Sequence, residues 1–199
     1  MAVTLHSNPE GRLYLRCIFR VVVSRPMNPF EAQVILTSES FLLRPLMADD
    51  FDALYNVAND PLLWQQHPQH DRWQKPVFEA FFNTALTNPE GCYVIFERES
   101  MDIVGSSRFY DYSSTDSCIR LGFTFIARRL WGSQANGDIK RAMLEYAFSQ
   151  VENVLFDVGI KNFRSRRALE KLGAKIQSLT PDDKVVYCLT KTDYPVSIL

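Results

Sequence analysis

Several features that would assign this chain quickly are missing from it. No Cys-x-x-Cys pair occurs, and the four cysteines (Cys17, Cys92, Cys118, Cys188) lie far apart, so neither a metal site nor a disulfide framework is supported. They read as buried thiols in a reducing compartment, and a cytoplasmic location is the expectation. No uninterrupted apolar run approaches the roughly 20 residues needed to cross a bilayer, so no membrane partner is expected. Charge of either sign is not in surplus: 22 Lys and Arg against 23 Asp and Glu leave a formal net charge of −1. A general nucleic-acid binder needs a clustered basic excess, so no nucleic-acid partner is expected either. The pattern Gly-x-x-x-x-Gly-Lys-Ser/Thr is absent, which argues against a nucleoside-triphosphate enzyme. Repeats and low-complexity tracts are absent as well.

What is present is the balance of one globular domain, 46% apolar and 23% charged in 199 residues. Residues 1–38 differ from the rest. Arg12, Arg16, Arg20 and Arg25 face only Glu10 among acids before Glu31, and Ile18, Phe19 and Val21–Val23 form a short apolar run. Three readings stay open: a targeting peptide, an added strand or helix docked on the core, and a dispensable extension upstream of a start at Met27. The domain proper is expected over residues 39–199.

Along that domain, Ser40–Arg44 is apolar enough for a strand stopped by Pro45. Phe51, Leu54, Tyr55 and Ala58 fall at helical spacing behind the acids Asp49, Asp50 and Asp52, which predicts a helix over 48–59 ended by Pro61. An aromatic, polar linker from Trp64 to Trp73 follows, then a helix on Val77, Phe78, Phe81, Phe82 and Ala85. Cys92–Glu97 and Asp102–Tyr110 read as a hairpin, and Ser117–Ile126 as a longer strand. Ile139, Ala142, Met143, Tyr146 and Ala147 make one apolar helix face, with Lys140, Arg141 and Glu145 on the polar side. Val154–Val158 is a short strand carrying Asp157. Asn162 suits the N-cap of a last helix that Gly173 ends, and Lys184–Thr190 closes the chain's regular elements. The expected class is α/β, a mixed, mostly antiparallel sheet with helices on both faces.

The turn after Ile126, Arg-Arg-Leu-Trp-Gly-Ser-Gln-Ala-Asn-Gly-Asp, is the most informative segment. A strand passing through a small polar turn into a helix leaves backbone N–H groups without intrahelical partners, where the helix dipole also favours negative charge. Such a turn suits phosphates.

With this element order, the segments Arg129-Leu130-Trp131-Gly132-Ser133-Gln134, Asn162-x-x-Ser165 and Glu170-Lys171-Leu172-Gly173 resemble the GNAT family of acyl-CoA N-acyltransferases. The resemblance covers roughly 39–192. Arg44-Pro45-Leu46 and the Trp before Gly132 look most like the branch that includes ribosomal-protein N-terminal acetyltransferases. Gln134 stands where the signature has a small residue.

The resemblance implies acetyl-CoA as co-substrate. Amides of Arg129, Trp131, Gly132, Ser133, Gln134, Ala135, Asn136 and Gly137 would hold its pyrophosphate, and backbone of Phe125, Ile126 and Ala127 its pantetheine arm. Asn162 would contact that arm or cap the last helix, and Arg129, Arg164, Arg167 and Lys171 could reach the 3′-phosphate. Two family groups are missing: Leu169 stands where many relatives place a tyrosine acid, and Arg120 where many carry a glutamate. Asp157 is the preferred substitute base, ahead of Tyr110, Asp111 and Asp116, because an acid inside an apolar strand beside the cofactor gap could have a raised pKa. Ser165 or a water could protonate sulfur, and His67, in the linker between the first two helices, could act as base or substrate contact. The expected activity is direct acetyl transfer from acetyl-CoA to a primary amine of a peptide, a protein N-terminus or a small metabolite, by a monomer or homodimer without metal. The alternative is a non-catalytic acyl-CoA-binding module.

Overall fold

The computed structural model describes residues 4–7, 13–16, 30, 31 and 34–194. Met27, Cys17 and the apolar run 18–23 lie outside the described residues, so the three readings of the extension are left as they stand. Within it, β1 (Thr4–Ser7) and β2 (Leu13–Arg16) pair antiparallel as a separate ribbon.

Among the described residues, the main sheet has eight strands. Its first half is a meander: β3 (Leu36–Thr37), β4 (Phe41–Pro45), β5 (Cys92–Glu97), β6 (Ile103–Ser113) and β7 (Cys118–Ile126) are neighbours in chain order. Alternation decides which face each side chain takes. On β5, Tyr93 and Ile95 enter one apolar layer and Val94 the opposite one. The sheet begins before residue 39: Leu36 pairs with Leu43, and Phe30 is buried edge-on against Phe109, 5.0 Å between ring centroids.

Chain direction changes meaning at β7. A long helix, α4 (Ala135–Phe148), carries the chain over the sheet to β8 (Asn153–Gly159), and a crossover of that length allows a parallel pair where the others are antiparallel. The short helix α5 (Phe163–Lys171) leads to β9 (Lys175–Leu179) and β10 (Lys184–Thr190), and β10 inserts between β8 and β9.

The two faces carry different helices. Ile139, Met143, Leu144 and Ala147 of α4 pack with Ile119, Leu121, Val154 and Phe156. Across the sheet, α1 (Phe51–Ala58), α2 (Pro61–Trp64) and α3 (Lys75–Leu86) bury Leu54, Trp64, Phe78 and Phe82 against Val94 and Phe125.

Three local expectations need revision. The helix expected over 48–59 begins as a 3-10 turn, Ala48–Asp50, and becomes α-helical at Phe51; the Asp50 carboxylate is tied to Arg44 and to the Met47 N–H, which sets that entry. Pro61 starts a helix rather than only stopping one: Asp60 accepts from the Leu62 N–H, and proline's missing donor costs nothing in a first turn. β9 was not expected, because all five of its residues are exposed and no alternation marks it.

Candidate functional site

The parallel ladder between β7 and β8 is short. Cys118, Ile119 and Arg120 pair with Asn153, Val154 and Leu155, and beyond that point the strands part. A bulge in β7 accompanies the parting: Ser106 pairs with Phe125 but Arg108 with Gly122, and Phe123 has φ +52. Extra twist and bending are what a bulge imposes on its strand. Past the bulge β7 is held only by β6, so its edge toward β8 opens into a cleft of about 1370 Å³. Gly105 on β6 allows that packing, since a Cβ there would lie 2.1 Å from the Phe125 carbonyl oxygen.

The turn from β7 to α4 borders the same cleft. Gly132 has φ +80, a conformation that costs other residues about 1 kcal/mol or more. The Ser133 hydroxyl accepts from the Ala135 N–H, and Asp138 begins the helical ladder by donating to the Gln134 carbonyl. The N–H groups of Gly132, Gln134, Asn136 and Gly137 have no partner among the described residues. Four free donors at the start of a fourteen-residue helix are an arrangement able to hold an anion. Arg164 faces this turn from α5, its guanidinium 3.7 Å from the Trp131 ring centre.

At the parting itself lies a charged network. Asp157 of β8 forms a close ion pair with Arg120, and its other oxygen accepts from the Tyr110 hydroxyl at 3.2 Å. Arg120 also reaches Asp111 at 3.5 Å. Burial and the Asp157 charge push the Tyr110 phenol well above its usual range, so it remains a donor.

The family model of the acetyltransferase (GNAT) domain matches residues 40–175, more than half of the chain. This chain belongs to the GNAT acetyltransferases. Solved structures agree in fold. A GCN5-related N-acetyltransferase from Brucella melitensis superposes with TM-score 0.72 at 15% identity, covering 84% of this chain and 83% of that one. The GNAT-family acetyltransferase from Bacillus anthracis gives 0.67 at 16%, with 80% and 99% covered. RimJ of Mycobacterium smegmatis, solved in complex with CoA-disulfide, gives 0.64 at 14%, with 81% and 88% covered. No curated protein sequence matches the chain. Among the described residues, no helix is long and apolar enough to cross a membrane.

In this GNAT domain the cleft gathers most of the residues expected at the site. Phe125, Ile126, Trp131, Gly132, Ser133, Gln134, Asn136, Gly137, Asn162, Ser165, Asp157 and His67 all line it. Ala127 and Arg129 do not. The Ala127 N–H donates to Val104, Arg129 forks onto Glu97 at 2.7 and 3.1 Å, and both line a separate hollow of about 830 Å³. Ala135 is buried in the core. Asn162 caps α5, accepting from the Ser165 N–H at 3.2 Å. Asp116 is held in the β6–β7 turn by Ser113.

His67 is not set up to accept a proton. Its Nδ1 accepts from the Gln69 N–H at 3.0 Å, which leaves the neutral ring's proton on Nε2. Burial, reinforced by Arg72, lowers its pKa to about 4, so the ring is uncharged at neutral pH.

Two cations lining the cleft, Lys140 and Arg72, and Arg108 behind them were not legible as such. Lys140 is buried rather than on a polar face. α4 borders the cleft with its first turns, and the ammonium lies over Phe156, 5.4 Å from the ring centre, with pKa lowered by burial to about 8. Arg72 and Arg108 are each only 3% exposed. The signal available was weak: an arginine beside Trp73 in a linker, and one in a strand of mixed polarity.

Proposed function

We propose that this GNAT protein transfers the acetyl group of acetyl-CoA to a primary amine by direct attack on the thioester. The observation that carries the reading is the parting of β7 from β8 beside a turn with four free amides. Those amides, with Gly132 allowing close approach, suit the CoA pyrophosphate, and the free edge of β7 through Phe125 and Ile126 suits the amide-bearing pantetheine arm. Arg164, Arg167 and Lys171 line the same end of the cleft and are the cations available to the 3′-phosphate.

An alkyl amine with pKa about 10.4 is neutral at pH 7 in only about one molecule in a thousand, so the site needs a proton acceptor. Asp157 is the group we assign. Its ion pair with Arg120 and its bond from Tyr110 still leave carboxylate lone pairs for an amine proton, directly or through a water. His67 contributes as an Nε2 donor, not as a base. On the leaving side, Ser165 and Lys140 both line the cleft. Lys140 is the stronger candidate, because an ammonium whose pKa is about 8 can return a proton to a departing thiolate near neutral pH. Holding amine and thioester together supplies much of the acceleration independently of these groups.

Calorimetric titration with acetyl-CoA, followed by thiol release across a panel of amines, tests the reading. Saturable binding with amine-dependent CoA release is expected. Absence of binding overturns the assignment of the cleft; binding with neither transfer nor slow hydrolysis leaves a CoA-binding module in its place.

A further inference from the structure

The acids and the cations that line the cleft differ in how they are paired. Asp111 and Asp157 share Arg120, and Asp182 is paired with Lys184 and Thr180. Each acid bordering the cleft therefore has a cation of the protein against it, with Asp111 and Asp157 sharing one guanidinium. Arg72 is not. It is 3% exposed, makes no ion pair among the described residues, and its buried Nε has no hydrogen-bond partner. One Nη donates to the Gln69 side chain, and the guanidinium plane rests on aromatic faces, 4.2 Å from the Phe81 centroid and 5.0 Å from that of Trp64.

Arg108 repeats the pattern one layer deeper. Its Nε is also buried and unpartnered, and it lies over the same Phe81 ring at 4.6 Å and over Phe123 at 4.3 Å. Among the described residues its side chain's one carbonyl partner is Phe81, at 3.3 Å, and the Cys92 thiol lies beside it. Two like charges thus share one phenyl ring in a desolvated pocket. Burying an unpaired charge costs several kcal/mol, and aromatic faces return only part of that. Desolvation lowers the Arg72 pKa to about 10, with Arg108 adding repulsion. Both guanidiniums stay charged at neutral pH, and the missing counter-charge belongs to something that enters the cleft.

We infer that the acceptor amine carries a carboxylate, which binds the Arg72 guanidinium at the aromatic end of the cleft with Arg108 behind it. Trp64 packs 5.3 Å from Phe125, so the anion would be held at the wall that faces the open edge of β7. A guanidinium fork matches a carboxylate in plane and spacing. A polyamine would instead bring further positive charge towards two guanidiniums that have no carboxylate partner among the described residues. This inference rests on the amine-transfer reading above.

The test compares acceptors with and without the carboxylate, each rate referred to the neutral-amine fraction because amidation also lowers the amine pKa: glycine with glycinamide, β-alanine with β-alaninamide, a C-terminally amidated dipeptide bearing an acidic side chain with its side-chain amide, and diamines. The free amino acids and the acidic peptide separate the two sources of the carboxylate. The acids should exceed their amides in kcat/KM by about thirtyfold or more, the effect of removing one partner of a desolvated charge pair. R72Q should close that gap and R72K should retain part of it. Equal rates for acids and amides, or a preference for diamines, overturns the inference, and that comparison needs no variant. If no amine is acetylated, the transfer reading fails but the anion site can still be read. N-acetylglycine should then bind the CoA-loaded protein more tightly than N-acetylglycinamide, and R72Q should abolish the difference; equal or absent binding overturns the inference.

Discussion

Replacing Lys140 by methionine should make the protein more stable and a poorer enzyme. The ammonium is buried on α4 with no hydrogen bond or ion pair among the described residues, and its pKa falls from 10.5 to about 8 because burial disfavours the charged form. That difference corresponds to a cost of about 3 kcal/mol at pH 7. Contact with Phe156 offsets up to about 1 kcal/mol, so Lys140→Met should gain about 2 kcal/mol, or roughly 4–8 °C in Tm for a chain of this size. The sign of the pH dependence follows from linkage. Between pH 8 and 10.5 the unfolded chain binds more protons at this residue than the folded one, so wild-type stability rises through that window relative to the variant. The advantage of methionine should be full below pH 8 and shrink toward zero as pH approaches 10.5. Urea unfolding of both proteins at pH 7, 8, 9 and 10 measures it. A destabilised variant, or a difference that does not change with pH, would refute the argument that an uncompensated ammonium sits there. Acetyl transfer should fall in the same variant while acetyl-CoA binding holds within a few-fold; unimpaired transfer would remove Lys140 from the reaction.

The amide cradle makes a second expectation. Gly132→Ala should cost about 1 kcal/mol in stability through its positive φ, with open space around the new methyl, and weaken acetyl-CoA binding measured by calorimetry; unchanged affinity would mean the turn does not hold the cofactor. At the other end of the chain, Phe30→Ala should lose about 3 kcal/mol, because the ring is 3% exposed among Phe109, Tyr112 and Tyr146. Equal urea midpoints for Phe30→Ala and wild type would show that the core does not extend to that residue.

Local pattern was enough for most of the scaffold. The apolar run Cys92–Glu97, the helical stripe through Ile139, Met143 and Ala147, and Asn162 ahead of Ser165 are short-range signals, and the elements form where they point; the alternation Ile119, Leu121, Phe123, Phe125 marks its strand but not its faces, since the bulge at Phe123 puts Phe125 in the layer opposite Ile119 and Leu121. Strand β9 escaped because an edge exposed on both faces has no alternation to read. Lys140 escaped because a helix that borders both a sheet and a cleft buries more than its apolar stripe.

The chemistry of the site depends on contacts that sequence order does not carry. By itself the sequence determined most of the element order, the family and the glycine-bearing turn, since each is written within a few consecutive residues. Only the tertiary structure brought Asp157 to Arg120, thirty-seven residues away, so that the charge missing from one strand is supplied by the next. It also laid Arg72 and Arg108 on one phenyl ring without a carboxylate. Pairing of charges is a property of distance and burial, and neither is fixed until separated segments share a core.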